Sequence, residues 1–263
     1  MKSETREESS ELRERADEVR RRIEASAARA ERDPREITLV AVSKTHPLSL
    51  IKEAAAFGLR EFGENRVQEA ESKIEQLESE ADGHEGDARG LQSGATKLRW
   101  HLIGHLQANK ARRAARLFDV IHSVDSASLV EKLERACAED GRERLDILLQ
   151  VDLAGEATKS GASEEELPAL FESLNVCSRV RCRGLMTLPP FFEDAELVRP
   201  YFRRLRSLRD KLRARGLFGD SGGELSMGMT HDFEVAVEEG ATILRVGTAI
   251  FGERTPAVQA RFH

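Results

Sequence analysis

Cysteine is scarce here: the chain of 263 residues has three, Cys137, Cys177 and Cys182, and no two form a CxxC pair. An odd number without paired spacing argues against a disulfide framework and for a reduced, cytoplasmic setting, with each thiol packed as a small side chain. Long hydrophobic runs are absent as well. The clean runs, such as residues 37–42, fall far short of the ~20 residues that span a bilayer, so no membrane association is expected. The N-terminal stretch is dense in Glu and Arg and holds no apolar signal core, so no secretory leader is expected. An excess of positive charge is also missing. Lys+Arg total 41 against Asp+Glu 47, a formal net charge of −6. That lacks the basic footprint of a dedicated nucleic-acid binder, yet it leaves room for a local phosphate pocket. Tyr201 is the one tyrosine, so a mechanism that needs a tyrosine base has a single candidate. Neither GxxxxGK[ST] nor GxSxG occurs.

What is present reads as alternating strands and helices. Hydrophobic residues make up 40%, enough for a sizeable core in one large domain or two small ones. Short apolar runs fall at residues 37–43, 61–63, 99–104, 120–124, 145–153, 180–186, 224–228 and 242–247. Amphipathic stretches separate them, at 48–57, 67–77, 108–117, 127–138, 164–174, 197–215 and 233–239. Near-continuous Val, Ile and Leu, as at Leu145 to Val151, mark strands buried on both faces. About eight such units predict a single (β/α)8 TIM barrel, which typically needs about 250 residues. An open doubly wound sheet is the alternative; the number of runs and the lack of a Gly-rich first turn favour the barrel.

An extra helix is predicted ahead of the barrel, over residues 10–32. Leu12, Ala16, Val19, Ile23, Ala27 and Ala30 form one stripe, Ser9 or Ser10 can cap it, and Asp33-Pro34 ends it. The stripe is short and Ala-rich, which suits a helix laid against the domain better than a coiled-coil arm. The expected division is therefore an N-terminal helix over 1–35, a barrel over 36–254 and a tail over 255–263. Residues 78–97, rich in Gly, Ser, Glu and Asp without an apolar period, read as a flexible surface insertion.

In a barrel, reactive residues sit at the C-terminal ends of strands. Lys44 ends the first run. Burial there would favour a neutral amine able to form a Schiff base with an aldehyde; a snorkelling or salt-bridged lysine is the plainer reading. Ser226 and Gly228 end the seventh run, and Gly247 and Thr248 the eighth. Small residues with free amides and hydroxyls, followed by a helix from about His231, make an anion nest, although glycines can serve tight turns alone. Arg245 either forms an ion pair inside the barrel or donates to a ligand ring nitrogen. His101 and His105 are four apart, but no Glu follows His101 as HExxH requires. His122 and Asp125 could pair as acid and base. No cluster has metal-ligand spacing, so no metal is expected.

Together these segments resemble the pyridoxal 5′-phosphate (PLP) homeostasis proteins, relatives of the N-terminal barrel of alanine racemase. The matching stretches are Leu39-Val40-Ala41-Val42-Ser43-Lys44-Thr45, Phe62-Gly63-Glu64-Asn65 with Gln68-Glu69, Trp100-His101-Leu102-Ile103-Gly104 and Leu106-Gln107-Ala108-Asn109-Lys110. Lys159-Ser160-Gly161, Arg183-Gly184-Leu185-Met186, Leu225-Ser226-Met227-Gly228-Met229 and Arg245-Val246-Gly247-Thr248-Ala249-Ile250-Phe251-Gly252 continue the match, from about residue 10 to 254. The resemblance implies that Lys44 carries PLP and that Ser226, Gly228, Gly247 and Thr248 bind its phosphate. It also implies that Arg245 faces the pyridine nitrogen and that Asn65 lies beside the ring. Two departures stand out: Gly104-His105-Leu106-Gln107 replaces the usual Gly-Pro-Leu-Gln, and the 78–97 insertion is long.

Three functions compete. A PLP carrier or regulator without turnover is favoured over an amino-acid racemase, and both over a sugar-phosphate enzyme using Lys44 as its Schiff-base lysine. Racemisation needs a base on each side of the substrate α-carbon. Alanine racemases take the second base, a tyrosine, from a C-terminal β-domain of the partner subunit. Only residues 248–263 follow the last run here, and Tyr201 falls in a helical stretch. A monomer serving apo PLP-dependent enzymes is the expected form, with Lys110 and Lys159 as surface lysines that could hold PLP loosely.

Overall fold

The alternation closes into a barrel in the computed structural model, which describes residues 4–83, 97–155 and 160–253. Its strands are β1 (Thr38–Val42), β2 (Glu61–Glu64), β3 (Arg99–Leu102), β4 (Val120–Val124), β5 (Leu145–Gln150), β6 (Val180–Met186), β7 (Glu224–Ser226) and β8 (Ile243–Val246). Neighbours pair in parallel in sequence order, and β8 returns to pair with β1. The closed order excludes the open doubly wound alternative.

The helices are α1 (Glu4–Arg29), α2 (Leu48–Ala56), α3 (Val67–Gly83), α4 (Ala111–Leu117), α5 (Ala127–Glu139), α6 (Leu167–Asn175), α7 (Arg199–Ala214), α8 (Phe233–Glu238) and α9 (Thr248–Phe251). Three differ from expectation: α1 begins at Glu4, so Ser9 and Ser10 lie within the helix and do not cap it. α3 runs on to Gly83, through the first residues assigned to the insertion, because helix-forming Glu78, Glu80 and Ala81 follow the buried Leu77. Gln76 also bonds Glu80 one turn ahead, at 3.3 Å. Residues 84–96 of that insertion, and the 255–263 tail, lie outside the described residues. α9 is a single turn of four residues, too short to show a period.

α1 lies on the domain and is no free arm. Leu12, Ala16, Val19, Ile23 and Ala27 are buried in the main core, each Val, Leu or Ile contributing about 1.5–3 kcal/mol by burial. Its basic face meets the last two helices. Arg22 pairs with Glu234 at 2.9 Å, and Arg29 with Glu238 at 2.8 Å. Arg32 donates to the Val237 carbonyl at 2.7 Å, and Arg15 to that of Ile250 at 2.9 Å.

Strand alternation sorts side chains into two sets. Ala41, Phe62, Leu102, Ile121, Leu225 and Leu244 join the main core with the helices, whereas Val40, Leu148, Met186 and Ile243 form a small separate apolar cluster. Buried polar side chains, among them His101, His122, Ser226 and Arg245, share the interior with it, unlike the usual layers of branched aliphatics. Its N-terminal end is internally paired: Arg99 to Glu61 at 3.0 Å, and Arg183 to Asp146 at 3.1 Å and Glu224 at 2.6 Å.

Candidate functional site

Barrel closure makes β7, β8, β1 and β2 four consecutive neighbours. Their C-terminal ends therefore bring Ser226, Gly228, Arg245, Gly247, Thr248, Lys44 and Asn65 onto one arc of the rim. Val42 pairs with Gly63, so continuing that register sets Lys44 level with Asn65.

Lys44 is half-buried in the turn after β1. The turn is anchored from below. Thr45 adopts φ +67°, a left-handed conformation that a β-branched residue adopts at a cost of order 1–3 kcal/mol. Its N–H donates to the Glu69 carboxylate. Lys73 spends its ammonium on three acceptors: Ser43 O at 2.9 Å, Glu64 Oε1 at 2.7 Å and Glu69 Oε1 at 2.8 Å. Ser43 Oγ donates to Glu64 Oε1 at 2.6 Å. Burial pushes the Glu64 carboxyl above its ordinary value against the pull of Lys73. Burial also acts upward on Glu69, but Lys73 and the Thr45 amide outweigh it and leave that carboxyl low. The residues flanking Lys44 are thus held by a buried ion network that sequence reading missed. Its signal was present, as Ser43 and Glu64 are polar residues at strand ends with Glu69 and Lys73 one helical turn apart.

Asn65 is held by close backbone packing. A Cβ on Gly104 would lie 2.3 Å from the Asn65 carbonyl oxygen, so only glycine lets the loop after β3 pass. Arg245 is buried and donates through Nη1 to Ser226 Oγ at 2.5 Å and through Nη2 to Thr187 O at 2.9 Å. These bonds use two of the guanidinium's five N–H donors. Burial brings Arg245 down to about 10, partly offset by Asp232, and it stays a cation at neutral pH. Gly228 has φ +92°, and a Cβ there would meet Ala236 Cβ at 2.5 Å. Gly247 packs on β1, where a Cβ would meet Val42 at 3.3 Å. α9 opens at the exposed Thr248, and the Thr230 hydroxyl accepts from the Ala249 amide in its first turn at 3.4 Å.

Other expectations are relocated. His122 does not pair with Asp125. Asp125 lies past the end of β4, beyond a register irregularity between Ile121 and Val124, and His122 inside the barrel instead contacts His101 at 2.8 Å and Ser226 at 2.9 Å. Asp125 has His105 at 3.8 Å. Tyr201 lies on α7 against Phe192, in the outer helical layer. Lys110 donates to Gln68 at 3.2 Å, and Lys159 lies outside the described residues. Among the described residues, no group of three or more His, Cys, Asp or Glu is placed to hold a metal, and no helix is long and apolar enough to cross a membrane.

Comparison with known proteins agrees with this fold. The family model for the alanine racemase N-terminal domain matches residues 15–255. The pyridoxal phosphate homeostasis protein of Aquifex aeolicus is 41% identical over 232 residues, 88% of this chain and 93% of that one. The structure of PipY from Synechococcus elongatus PCC7942 with PLP bound is 40% identical, with a TM-score of 0.71 over 88% of this chain and 100% of that one. A crystal structure of an unknown protein from Bifidobacterium adolescentis is 36% identical, with a TM-score of 0.82 over 93% of this chain and 96% of that one.

Proposed function

Because the chain belongs to the pyridoxal phosphate homeostasis proteins of the alanine racemase N-terminal domain family, we propose that it binds PLP on the β7–β8–β1–β2 arc. There it serves to store and deliver the cofactor, without turnover of its own. The observation that carries this reading is the convergence on one arc of a lysine, a buried arginine with unused donors, and two closely packed glycines, of which Gly228 leaves no room for a Cβ. That donor set fits a flat, anionic phosphopyridine.

PLP supplies an aldehyde that condenses with amines and a phosphate that takes hydrogen bonds. Lys44 is the amine, presented at a fixed depth by the Glu64–Lys73–Glu69 network. Ser226, Gly228, Gly247 and Thr248 hold the phosphate through amides and hydroxyls, and Asn65 lies beside the ring. Arg245 donates to the ring nitrogen and keeps its own proton, so that nitrogen is not protonated and electron withdrawal through the ring is weak. This supports carriage over catalysis. A racemase would also need a second base at the rim, and Tyr201 sits in the outer layer.

In this reading the protein works as a cytoplasmic monomer that passes PLP to apo enzymes. Purified protein should be yellow, and borohydride should fix the cofactor on Lys44, identified by peptide mass. Lys44→Ala should lose the reducible link, and Thr248→Ala should retain PLP less well. Transfer to an apo PLP enzyme should be measurable beside a blank racemase assay. A protein that stays colourless with added PLP refutes the binding site. Racemase turnover that Tyr201→Phe abolishes refutes the carrier role.

A further inference from the structure

The barrel interior holds a continuous line of polar side chains that runs from its far end to the cofactor arc. Glu61 Oε2, at the start of β2, lies 2.6 Å from His101 Nε2 on β3. His101 Nδ1 lies 2.8 Å from His122 Nε2 on β4, and His122 Nδ1 lies 2.9 Å from Ser226 Oγ on β7. Ser226 Oγ then accepts from Arg245 Nη1 at 2.5 Å. Both imidazoles and Ser226 are buried, so each polar atom in the line depends on its neighbour.

The donor inventory restricts how the hydrogens run. Arginine only donates, so Ser226 must accept from Arg245 and keeps one hydrogen of its own. Burial, reinforced by His101 and Arg245, holds His122 well below its usual value, so it is neutral, with one N–H and one bare nitrogen. Two arrangements then satisfy every contact. In one, Ser226 O–H donates to His122 Nδ1, His122 Nε2–H to His101 Nδ1, and His101 Nε2–H to the Glu61 carboxylate. Every hydrogen points away from the cofactor arc. In the other, His101 Nδ1–H donates to His122 Nε2, and His122 Nδ1–H donates to Ser226 Oγ. Ser226 now accepts twice, and its own hydrogen is released towards the arc. The second arrangement needs one more proton on the Glu61–His101 pair; His122 and Ser226 only exchange which atoms carry theirs.

We propose that Glu61, His101 and His122 are positioning residues that switch the Ser226 hydroxyl between donating inward and donating to a bound phosphate. They thereby tie phosphate affinity to proton uptake at the opposite end of the barrel. The proposal rests on the PLP reading of the arc. The groups that surround the line are accounted for. Arg99 faces Glu61, with Arg183, Asp146, Glu224 and Arg144 paired beyond it. Arg245 and Asp232 face each other at the near end. Burial acts upward on Glu61, but His101 and Arg99 outweigh it and keep that carboxyl low. The incoming proton is therefore taken up at the Glu61–His101 contact, 2.6 Å long, at the far end of the line.

Two measurements test this. Nitrogen-15 NMR of the cofactor-free protein reads the His122 tautomer directly, and its proton should move from Nε2 to Nδ1 as pH falls. Calorimetry with 4-deoxypyridoxine 5′-phosphate, which lacks the aldehyde and so bypasses Lys44, should show about tenfold weaker binding near pH 8 than near pH 5, the worth of one hydrogen bond to a charged group. Glu61→Gln, a near-isosteric change at the far end, should flatten that difference relative to the unaltered protein. Ionisation of the ligand phosphate is common to both proteins and cancels. A His122 tautomer that never changes, or a Glu61→Gln profile that matches the unaltered protein, overturns the switch. A tautomer that moves while the ligand fails to bind at any pH keeps the switch and overturns the PLP reading instead.

Discussion

Replacing Lys73 by methionine tests whether the turn carrying Lys44 is held by a buried charge network. The ammonium donates to Ser43 O, Glu64 Oε1 and Glu69 Oε1 within 2.9 Å, and its side chain is 9% exposed. Glu64 is fully buried, and its second oxygen already lacks a hydrogen-bond partner. Methionine keeps the length and apolar stem but leaves Glu64 with only the Ser43 hydroxyl. Breaking a buried pair in this way costs about 3–5 kcal/mol. Glu64 can escape part of that cost by taking up a proton. Burial already sets its folded value above the ordinary carboxylate value, with Lys73 opposing, so losing Lys73 raises it further. A carboxyl raised on folding makes the folded state bind more protons, so stability falls as pH rises from the unfolded value through the folded one. Lys73→Met should thus be least destabilised near pH 5 and show its full ~3–5 kcal/mol loss near pH 8. Urea unfolding at both pH values measures this, and adding Glu64→Gln should recover much of the loss at the higher pH. A loss below about 1 kcal/mol near pH 8, the range of an exposed pair, would show that the network does not hold the turn.

Gly104→Ala places a methyl group 2.3 Å from the Asn65 carbonyl oxygen; a stability loss of about 1–3 kcal/mol with weaker PLP absorbance is expected, and an unchanged urea midpoint would contradict it. Arg22→Ala removes a half-exposed pair with Glu234 and a guanidinium 4.6 Å from the Phe233 ring centre. The loss should be no more than about 1 kcal/mol, and a double-mutant cycle with Glu234→Ala separates the ion pair from the ring contact.

The barrel was legible because its signals are local. A run such as Leu145–Gln150 is apolar at four of six positions and every residue is buried, as a strand between two layers must be. The rim residues were legible because parallel closure places strand ends together whatever their separation in sequence. The interior line was not, because its contacts are non-local: His122 and Ser226 are 104 residues apart, while Asp125 was merely near in sequence. Noting which polar residues share the inward face of their strands would have offered His101, His122, Ser226 and Arg245 as a set. The anchoring of Thr45 was equally hidden, since a left-handed threonine gives no sign in composition or period.

The docking of α1 on α8 and α9 bears on the order in which the molecule is made. Arg22, Arg29 and Arg15 find partners 212, 209 and 235 residues further along the chain, and β1 likewise waits for β8. Such distant pairings are slow to form and leave apolar faces uncovered meanwhile. The phosphate end of the proposed cofactor arc is built from those same distant segments. On that proposal the arc assembles only after α8, β8 and α9 have been made, and ligand capture becomes a marker of a closed barrel.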